Sequence, residues 1–561
     1  IVFFPKVNMI ISDIRREFYD LVLSKHVLVV VNADVDAVCA CKILLSLFHY
    51  ENVLYTLVPI TGKSDLVQAV QDYKEQIDVI VCINCGASIN LAELLQPPDH
   101  IVIYVLDNHR PVDVYNIYNS DQIRIVMNIK PEDNIPNFDD IFKDENESED
   151  FDESNDLSTE EKILKNREKR IWEENRLKIL FDYTQFSYYD GATAISLFEL
   201  SWKLSKDSIE LVWCAIVGLT ALYFLEKVES ETYLVESANL QNHVSRLSSL
   251  QLGPNAQNGS YEGQAVSFDT DLQLTHYRHW SLLESFRHSH YTSCKFKLWT
   301  LKGHKKLCEF LAEMGLPLAQ CQQKYHSMDR SLKCELFSLI EGKMTKYDLG
   351  NIMYGSFTGH YGFRHKYAAS DIVNCILATL ESEEDKSASL KFLGALDCLS
   401  RHSLEAISQG IELSKRQLKL IFSEVQTLLD THQVISAGTC LIVNIPEGSV
   451  GAKHFGKPNC LLALARFLLR AYVASSRSKR AHTLPLVITA PLHSSENTLL
   501  VLGLPPLAET SSRNLLGKAF EKSGEGTSCI MTQDYFDSSM LQLRSQDRTK
   551  FIDALISLLS L

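Results

Sequence analysis

The stretch HVLVVVNADVDAVCACK, residues 26–42, constrains the fold of this chain more than any other. Its first part is an apolar, β-branched run and its second part carries apolar residues at helical spacing, so it predicts a buried strand leading into a helix. Asp34 and Asp36 lie in the turn between them. Because ligands of parallel sheets collect at the carboxyl ends of strands, these aspartates are candidate metal ligands. The alternative is that they cap the helix.

Similar apolar runs follow, separated by helical connections. They lie at 53–58, 78–83, 100–106 and 123–127. This alternation predicts an α/β fold with a doubly wound parallel sheet, in which the carboxyl ends of the strands line one crevice. Asp107 and His109 follow the run at 100–106, so three carboxylates and a histidine would converge there. Such a set suits a two-metal phosphoryl-transfer site.

Length and charge limit the class of protein. A chain of 561 residues is long enough for about two to four domains. The formal net charge of −15 argues against a general nucleic-acid-coating protein, so any contact with nucleic acid must be local. The 14 cysteines lie mostly in apolar segments, which predicts reduced thiols in an intracellular protein. We expect no membrane partner, because no apolar run is long enough to cross a bilayer.

The regular pattern of the first domain, predicted for 9–131, breaks at 132–170. Acidic residues crowd 139–161, which predicts a disordered, solvated linker. Basic residues interleaved with glutamates follow to 178 and predict a long exposed helix. Apolar helical segments at 171–228 are predicted to complete the first domain.

The rest of the chain is predicted to form an all-α inter-domain region at 229–400 and a smaller α/β domain at 401–561. Two basic groups are candidate contacts for nucleic acid or a partner: Lys295, Lys297, Lys302, Lys305 and Lys306, and then Arg513, Lys518 and Lys522. The first group surrounds Phe296 and Trp299, a combination that suits single-stranded nucleic acid through backbone attraction and base stacking. The alternative is an amphipathic helix whose rings enter the core.

The motifs at the predicted strand ends, Asp34-x-Asp36, Asn84-x-Gly86 and 107–109, resemble those of the DHH phosphoesterase superfamily, which includes the RecJ exonucleases. Longer motifs resemble one eukaryotic branch, the cell-division-cycle forty-five family. They run in order at 12–19, 34–37, 83–87, 107–112, 213–220, 363–371, 517–522 and 553–559. The resemblance implies a DHH-like first domain and a DHH-associated C-terminal domain.

Departures from the catalytic DHH pattern predict a degenerate site. Active members place a histidine where this chain has Asn32, and aspartates where it has Asn84 and Ala221. An amide oxygen supplies no charge, so two closely spaced cations would be poorly neutralised. We therefore expect a non-enzyme without a cofactor; the alternative is that one metal ion is retained. The degenerate site consists of Asn32, Asp34, Asp36, Asn84, Asp107 and His109.

The resemblance implies a nuclear replication initiation and elongation factor, the non-catalytic subunit of the eukaryotic replicative helicase. It implies the minichromosome maintenance motor ring and the GINS complex as partners, together with origin-firing factors, replicative polymerases, the single-strand-binding protein and single-stranded DNA. The chain has no Gly-x-x-x-x-Gly-Lys-Ser/Thr loop, so the ATP-driven motor is expected in a partner. Two alternative functions are an active metal-dependent phosphoesterase or single-strand exonuclease, and a stand-alone single-strand-binding factor.

Overall fold

The structure is a computed structural model. It describes residues 10–118, 122–142, 159–251, 264–362, 365–384, 386–493, 497–508 and 513–560. The central part of the predicted acidic linker, 143–158, lies outside the described residues. The prediction of disorder is wrong at both described ends of the linker, which are helical at Phe138–Ile141 and from Thr159 onward.

A six-stranded, all-parallel sheet forms the N-terminal region, with strand order β1-β7-β5-β4-β2-β3. The strands of this region are β1 (Ile10–Ile11), β2 (Val27–Asn32), β3 (Tyr55–Ile60), β4 (Val79–Ile83), β5 (Val102–Leu106), β6 (His109–Arg110), β7 (Ile123–Val126) and β8 (Tyr188–Tyr189). Strands β6 and β8 pair with each other outside the main sheet. The predicted parallel sheet is confirmed, and only the two-residue edge strand β1 was too short to give a pattern in the sequence.

Helices cover both faces of this sheet. They are α1 (Asp20–Val22), α2 (Val35–Glu51), α3 (Lys63–Tyr73), α4 (Leu91–Leu95), α5 (Val114–Tyr118), α6 (Phe138–Ile141), α7 (Thr159–Thr184), α8 (Thr193–Lys203) and α9 (Ile209–Phe224). Val29 and Val31 of β2 pack into the cluster that contains α2, α8 and α9, whereas Leu28 and Val30 pack into the cluster on the opposite face. Successive strand residues point to opposite faces, so the sheet is doubly wound as predicted.

The middle region, 229–400, is mainly helical. Its helices are α10 (Ser230–Gln251), α11 (Leu282–His288), α12 (His290–Phe296), α13 (Leu301–Glu313), α14 (Leu318–Gln322), α15 (Arg330–Met344), α16 (Ala369–Leu380) and α17 (Ala388–Asp397). Long helix α7, before this region, confirms the helix predicted from the basic and acidic residues up to 178.

The prediction that the middle region is all-α is wrong in one respect. An antiparallel sheet of three strands crosses it, formed by β9 (Gln264–Leu272), β10 (Met353–Tyr361) and β11 (His365–Ala368). Gly355 and Gly359 lower the strand signal of β10, because glycine has a weak β-propensity. A Cβ at these positions would lie 2.7 Å from the Phe268 ring and 3.0 Å from the Trp213 ring, so close packing requires both glycines.

The C-terminal region is α/β, as predicted. Its sheet has the order β12-β13-β14-β15-β17-β16, with only β13 and β14 parallel. The strands are β12 (Ile435–Ser436), β13 (Leu441–Asn444), β14 (Leu486–His493), β15 (Thr498–Leu504), β16 (Met531–Thr532) and β17 (Met540–Arg544). The helices are α18 (Leu404–Asp430), α19 (Ala452–Phe455), α20 (Pro458–Ser475), α21 (Leu516–Thr527) and α22 (Arg548–Leu559).

Two features join the C-terminal region to the rest of the molecule. Helix α18 places Ile407 in the core cluster of the N-terminal region and Phe422 in that of the C-terminal region. Residues 534–537, which we call the docking segment, place the Phe536 ring in the cluster on the second face of the N-terminal sheet. The N–H of Ser64 in α3 donates to Asp534 Oδ1 at 2.9 Å. The C-terminal region is thereby fixed near the carboxyl ends of the parallel strands.

Among the residues described, each helix is too short or too polar to cross a membrane.

Candidate functional site at the strand ends

Asp34 caps helix α2. It directly precedes the helix in extended backbone, and its Oδ1 accepts from the N–H of Ala37 at 2.9 Å. The side-chain amide of Asn32 donates to Asp34 Oδ2 at 3.0 Å. Asp34 therefore caps the helix, as the alternative interpretation expected.

Asp36 is 1% exposed and accepts hydrogen bonds at both carboxylate oxygens. Its Oδ2 accepts from the side-chain amides of Asn84 and Asn108, each at 2.9 Å. Backbone N–H groups of Thr193 and Ala194 donate to Oδ2 and Oδ1, at 2.9 and 3.1 Å. These two N–H groups begin helix α8, where the unsatisfied donors and the helix dipole favour a negative charge. The carboxylate therefore binds a helix N-terminus of its own chain.

The hydrogen bonds around Asp36 fix the orientation of Asn84. Its Oδ1 accepts from the Thr193 hydroxyl at 2.5 Å, while its NH₂ group faces Asp36 and also reaches Asp34 Oδ1 at 3.3 Å. A metal ligand would have to present the oxygen to the cation instead. Burial, and then the charge of Asp34, raise the pKa of Asp36 to about 6, although the hydrogen bonds act in the opposite direction.

Asp107 and His109 form a buried pair. His109 Nδ1 lies 2.6 Å from Asp107 Oδ1, and the N–H of Ala87 donates to Asp107 Oδ2 at 2.9 Å. Burial disfavours both charges, but the attraction between them and their hydrogen bond outweigh it. The pKa of Asp107 is consequently lowered and the pKa of His109 is raised.

Three residues that sequence reasoning missed stand next to this pair. The rings of Tyr189 and His109 lie 5.0 Å apart, and the Tyr189 hydroxyl donates to Asp537 Oδ2 at 2.8 Å. Lys227 Nζ lies 4.1 Å from the centre of the Tyr189 ring. Burial lowers the pKa of Lys227, although the charges of Asp34 and Asp537 act in the opposite direction. No motif indicated these residues, because they come from segments remote in sequence.

The predicted members of the degenerate site are thus brought together, but the surroundings do not fit a pair of metal ions. Among the residues described, no cluster of three or more histidine, cysteine, aspartate or glutamate side chains has a metal-binding arrangement. Ala221, at the position of an expected ligand, is buried in α9. A Cβ on Gly218 of the same helix would lie 2.7 Å from Asp36 Oδ1, so the helix closes against the carboxylate.

The first basic group lies at the C-terminal end of α12 and on α13, away from the strand ends. Its five lysines, Lys295, Lys297, Lys302, Lys305 and Lys306, are exposed. Phe296 and Trp299 are buried in a core cluster, so neither ring can stack on a base. The structure therefore has the alternative arrangement, an amphipathic helix with its aromatic residues in the core. Lys295 forms an ion pair with Asp348 at 2.6 Å.

The second basic group lies beside the N-terminal region. Lys518 pairs with Glu521 at 2.7 Å. The charged end of Lys522 stands 3.8 Å from the centre of the Phe181 ring, and that of Arg513 stands 5.1 Å from the centre of the Tyr188 ring. These contacts join the two regions and leave the lysines only partly available to a partner.

Fold and site together define a class: proteins with a doubly wound parallel sheet whose strand-end carboxylates are held by the chain's own amides. Comparison with known proteins identifies the family. The CDC45 family profile matches residues 27–174 and 132–558. The chain belongs to the CDC45 family, which confirms the resemblance inferred from the motifs.

Individual relatives agree with this membership. The human cell division control protein 45 homolog is 41% identical over 98% of this chain and 100% of that protein. Cell division control protein 45 of Saccharomyces cerevisiae is 24% identical over 93% of this chain and 94% of that protein. The crystal structure of CDC45 from Entamoeba histolytica has the same fold, with a TM-score of 0.71, 21% identity and coverage of 98% of this chain and 100% of that one.

Proposed function

We propose that this chain is a DNA replication initiation and elongation factor, and that it acts as a non-catalytic scaffold subunit of the replicative helicase. In this role it joins the minichromosome maintenance motor ring and the GINS complex at origins and forks in the nucleus. Membership of the CDC45 family supports the replication role. The observation that carries the non-catalytic role is the carboxylate of Asp36, which accepts four hydrogen bonds from its own chain.

Two-metal phosphoryl transfer requires carboxylate oxygens that can bridge or flank two cations about 3.5–4 Å apart. Asp36 is occupied by amide and backbone donors, and Asp107 is occupied by His109 and the N–H of Ala87. The Asn84 amide donates to both Asp34 and Asp36. A cation at this position would have to displace these donors, and a buried N–H without an acceptor costs about 1–3 kcal/mol. This balance supports a structural use of the site.

A nuclease assay tests the non-catalytic role. The purified chain is incubated with a 5′-phosphorylated single strand and Mn²⁺, with Asp34→Ala/Asp107→Ala as the control. We expect nucleotide release no greater than that of the double variant. Release that the double substitution abolishes would establish the alternative, an active DHH phosphoesterase or exonuclease.

Assembly tests the scaffold role. The chain is mixed with the motor ring and GINS from the same organism and separated by size-exclusion chromatography, with ATP hydrolysis and strand unwinding measured on the peak. We expect one complex of all three, with unwinding that depends on this chain and ATP hydrolysis that depends on the motor ring. Failure of the purified partners to co-elute would contradict the proposal.

A local contact with single-stranded DNA is a further part of this proposal. Lys302 and Lys305 lie on the exposed face of α13, and they could attract a phosphate backbone without base stacking. We expect Lys302→Glu/Lys305→Glu to weaken single-strand binding by the assembled complex and to reduce its salt dependence. Unchanged binding would indicate that these lysines serve only solubility. Origin-firing factors, replicative polymerases and the single-strand-binding protein are proposed as further partners on the same grounds of family membership.

A further inference from the structure

A cavity of about 810 Å³ adjoins the strand-end site, where the N-terminal, middle and C-terminal regions meet. Lys227 after α9, His290 at the start of α12, and Arg466 and Arg470 on α20 belong to its wall. We call it the junction cavity. Sites for small molecules usually measure about 300–1,000 Å³, so its volume suits a ligand rather than a few water molecules.

The arginines of the junction cavity differ in their partners. Arg466 and Arg470 are four residues apart and share one face of α20. Arg470 forms an ion pair with Glu226 through Nη2, but its Nε is buried without a hydrogen-bond partner. Arg466 makes no hydrogen bond or ion pair with any residue that the structure describes, and its Nη1 is buried. A buried guanidinium N–H without an acceptor is costly, so these two unpartnered nitrogens call for an acceptor from outside the chain.

The acidic groups around the cavity are already engaged or remote. Asp537 accepts from the Tyr189 hydroxyl at 2.8 Å and from Ser539 Oγ at 2.6 Å. Glu226 pairs with Arg470 and also attracts Arg466 without forming an ion pair with it, and Glu229 and Glu231 are exposed.

The pKa of His290, in the wall of the junction cavity, is shifted by burial and by the charged groups around it. Burial, and then the charge of Arg470, lower its pKa to about 4, with Arg466 adding to the effect and Glu226 opposing it. Burial is the largest cause, and the two arginines act in the same direction as burial.

We propose that the junction cavity binds a small phosphate-bearing anion, with Arg466 as its main ligand and Arg470 Nε as a second donor. The planar fork of a guanidinium matches two oxygens of a phosphate group. Buried Gln273 Oε1 also lines the cavity without a partner, and it needs a donor. The O–H of hydrogen phosphate supplies this donor near neutral pH, and a sugar hydroxyl would supply it where the ligand is a fully ionised phosphate monoester. The anion is either free phosphate or the phosphate of a nucleotide, and the site does not depend on the proposed role in replication.

Calorimetric titration of the full chain with sodium phosphate, at pH 7 and constant ionic strength, tests this site. We expect saturable binding of one phosphate and an affinity at least about tenfold weaker in Arg466→Met. Arg477→Met is the matched control, because Arg477 is exposed just beyond α20 and should bind phosphate like the unmodified chain. Parallel titrations with thymidine and thymidine 5′-monophosphate separate the two sources. Tighter binding of the monophosphate than of phosphate indicates a nucleotide, and equal binding indicates free phosphate.

Thermal unfolding in phosphate-free buffer separates a ligand-binding arginine from a structural one. Arg466→Met should unfold at the same temperature as the unmodified chain or higher, since it removes a guanidinium nitrogen that is buried without an acceptor. A marked fall in this temperature would overturn the proposal. So would the absence of binding of both phosphate and thymidine 5′-monophosphate, or equal affinity of Arg466→Met and the unmodified chain. Arg466→Lys retains the charge but not the fork, so it keeps the fold and should bind phosphate with intermediate affinity.

Discussion

The side chains at the strand ends form a network of hydrogen bonds within the chain. Asp36 shows this most clearly, since the amides of Asn84 and Asn108 and the first N–H groups of α8 surround it. Each donor supplies positive charge density without a full charge. The carboxylate can therefore stay buried beside the carboxylate of Asp34 without a cation between them.

Replacing Asp36 should damage the fold more than replacing Asp34. Asp36→Ala leaves four donors without their acceptor, and we expect the free energy of unfolding to fall by about 3 kcal/mol or more. Asp34→Ala removes mainly a helix cap, with an expected loss of about 1 kcal/mol. Urea denaturation of both variants measures the difference. Equal losses would show that the donors around Asp36 are not structurally important.

The Asp107–His109 pair should make stability depend on pH. Stability from His109 is full below its ordinary pKa of 6.5 and is lost as pH rises through the raised pKa. Stability from Asp107 is present above its ordinary pKa of 3.8 and is lost as pH falls through the lowered pKa. The pair therefore stabilises most between about pH 4 and 6.5. Nearby Lys227 opposes the charge of His109, and Asp34 favours it.

Thermal unfolding of the unmodified chain and of His109→Gln at several pH values checks this pH dependence. The two unfolding temperatures should differ most between about pH 4 and 6.5 and approach each other as pH rises above that range. A difference that does not change between pH 5 and 9 would contradict the raised pKa of His109.

At the scale of the elements, the strands and helices that local hydrophobic periodicity marks could be predicted from the sequence. The five apolar runs near 27–126 became strands β2, β3, β4, β5 and β7, because buried parallel strands are continuous apolar segments. Strand β10 was not predicted because its sequence contains Gly355 and Gly359, which weaken the strand signal. These glycines leave room for the rings of Phe268 and Trp213, which come from other elements. Tyr189, Lys227 and Asp537 were missed at the site for a similar reason. Their roles depend on which segments the tertiary fold brings together.

Gly355→Ala tests the close packing of the middle sheet. The new methyl group would meet the Phe268 ring at 2.7 Å, so we expect a loss of about 1–3 kcal/mol in the free energy of unfolding. Gly342→Ala is the matched control, because open space surrounds that position in α15. It should stabilise the helix by about 0.5–1 kcal/mol. A neutral effect of Gly355→Ala would show that the ring moves aside freely.

On the scale of the whole molecule, contacts remote in sequence hold the N-terminal and C-terminal regions together. The docking segment contributes the Phe536 ring and the Asp534 carboxylate, and Arg513 and Lys522 lie against rings of the N-terminal region. The Tyr189–Asp537 hydrogen bond lies between these contacts and the strand-end site. The geometry of the junction cavity consequently depends on this docking.

Phe536→Ala should loosen the docking. The loss of a buried ring costs about 3–5 kcal/mol, and here it falls on the contact between regions. Hydrogen-exchange mass spectrometry should show faster exchange at the start of α3 and in the docking segment. Phe551→Ala removes a ring buried within the C-terminal region, so faster exchange should be limited to α21 and α22. Unchanged exchange in α3 of Phe536→Ala would mean that other contacts hold the C-terminal region in place without this ring.

The orientation of the Asn84 amide limits which single substitutions this site can tolerate. Asn84→Asp alone would replace a donor by a second negative oxygen, 2.9 Å from Asp36 and 3.3 Å from Asp34. Three carboxylates would then crowd one buried point, and without a cation this repulsion destabilises the fold. Metal coordination at this point would therefore need several residues to change at once. The single substitution Asn84→Asp would destabilise the fold before a cation-binding arrangement was complete.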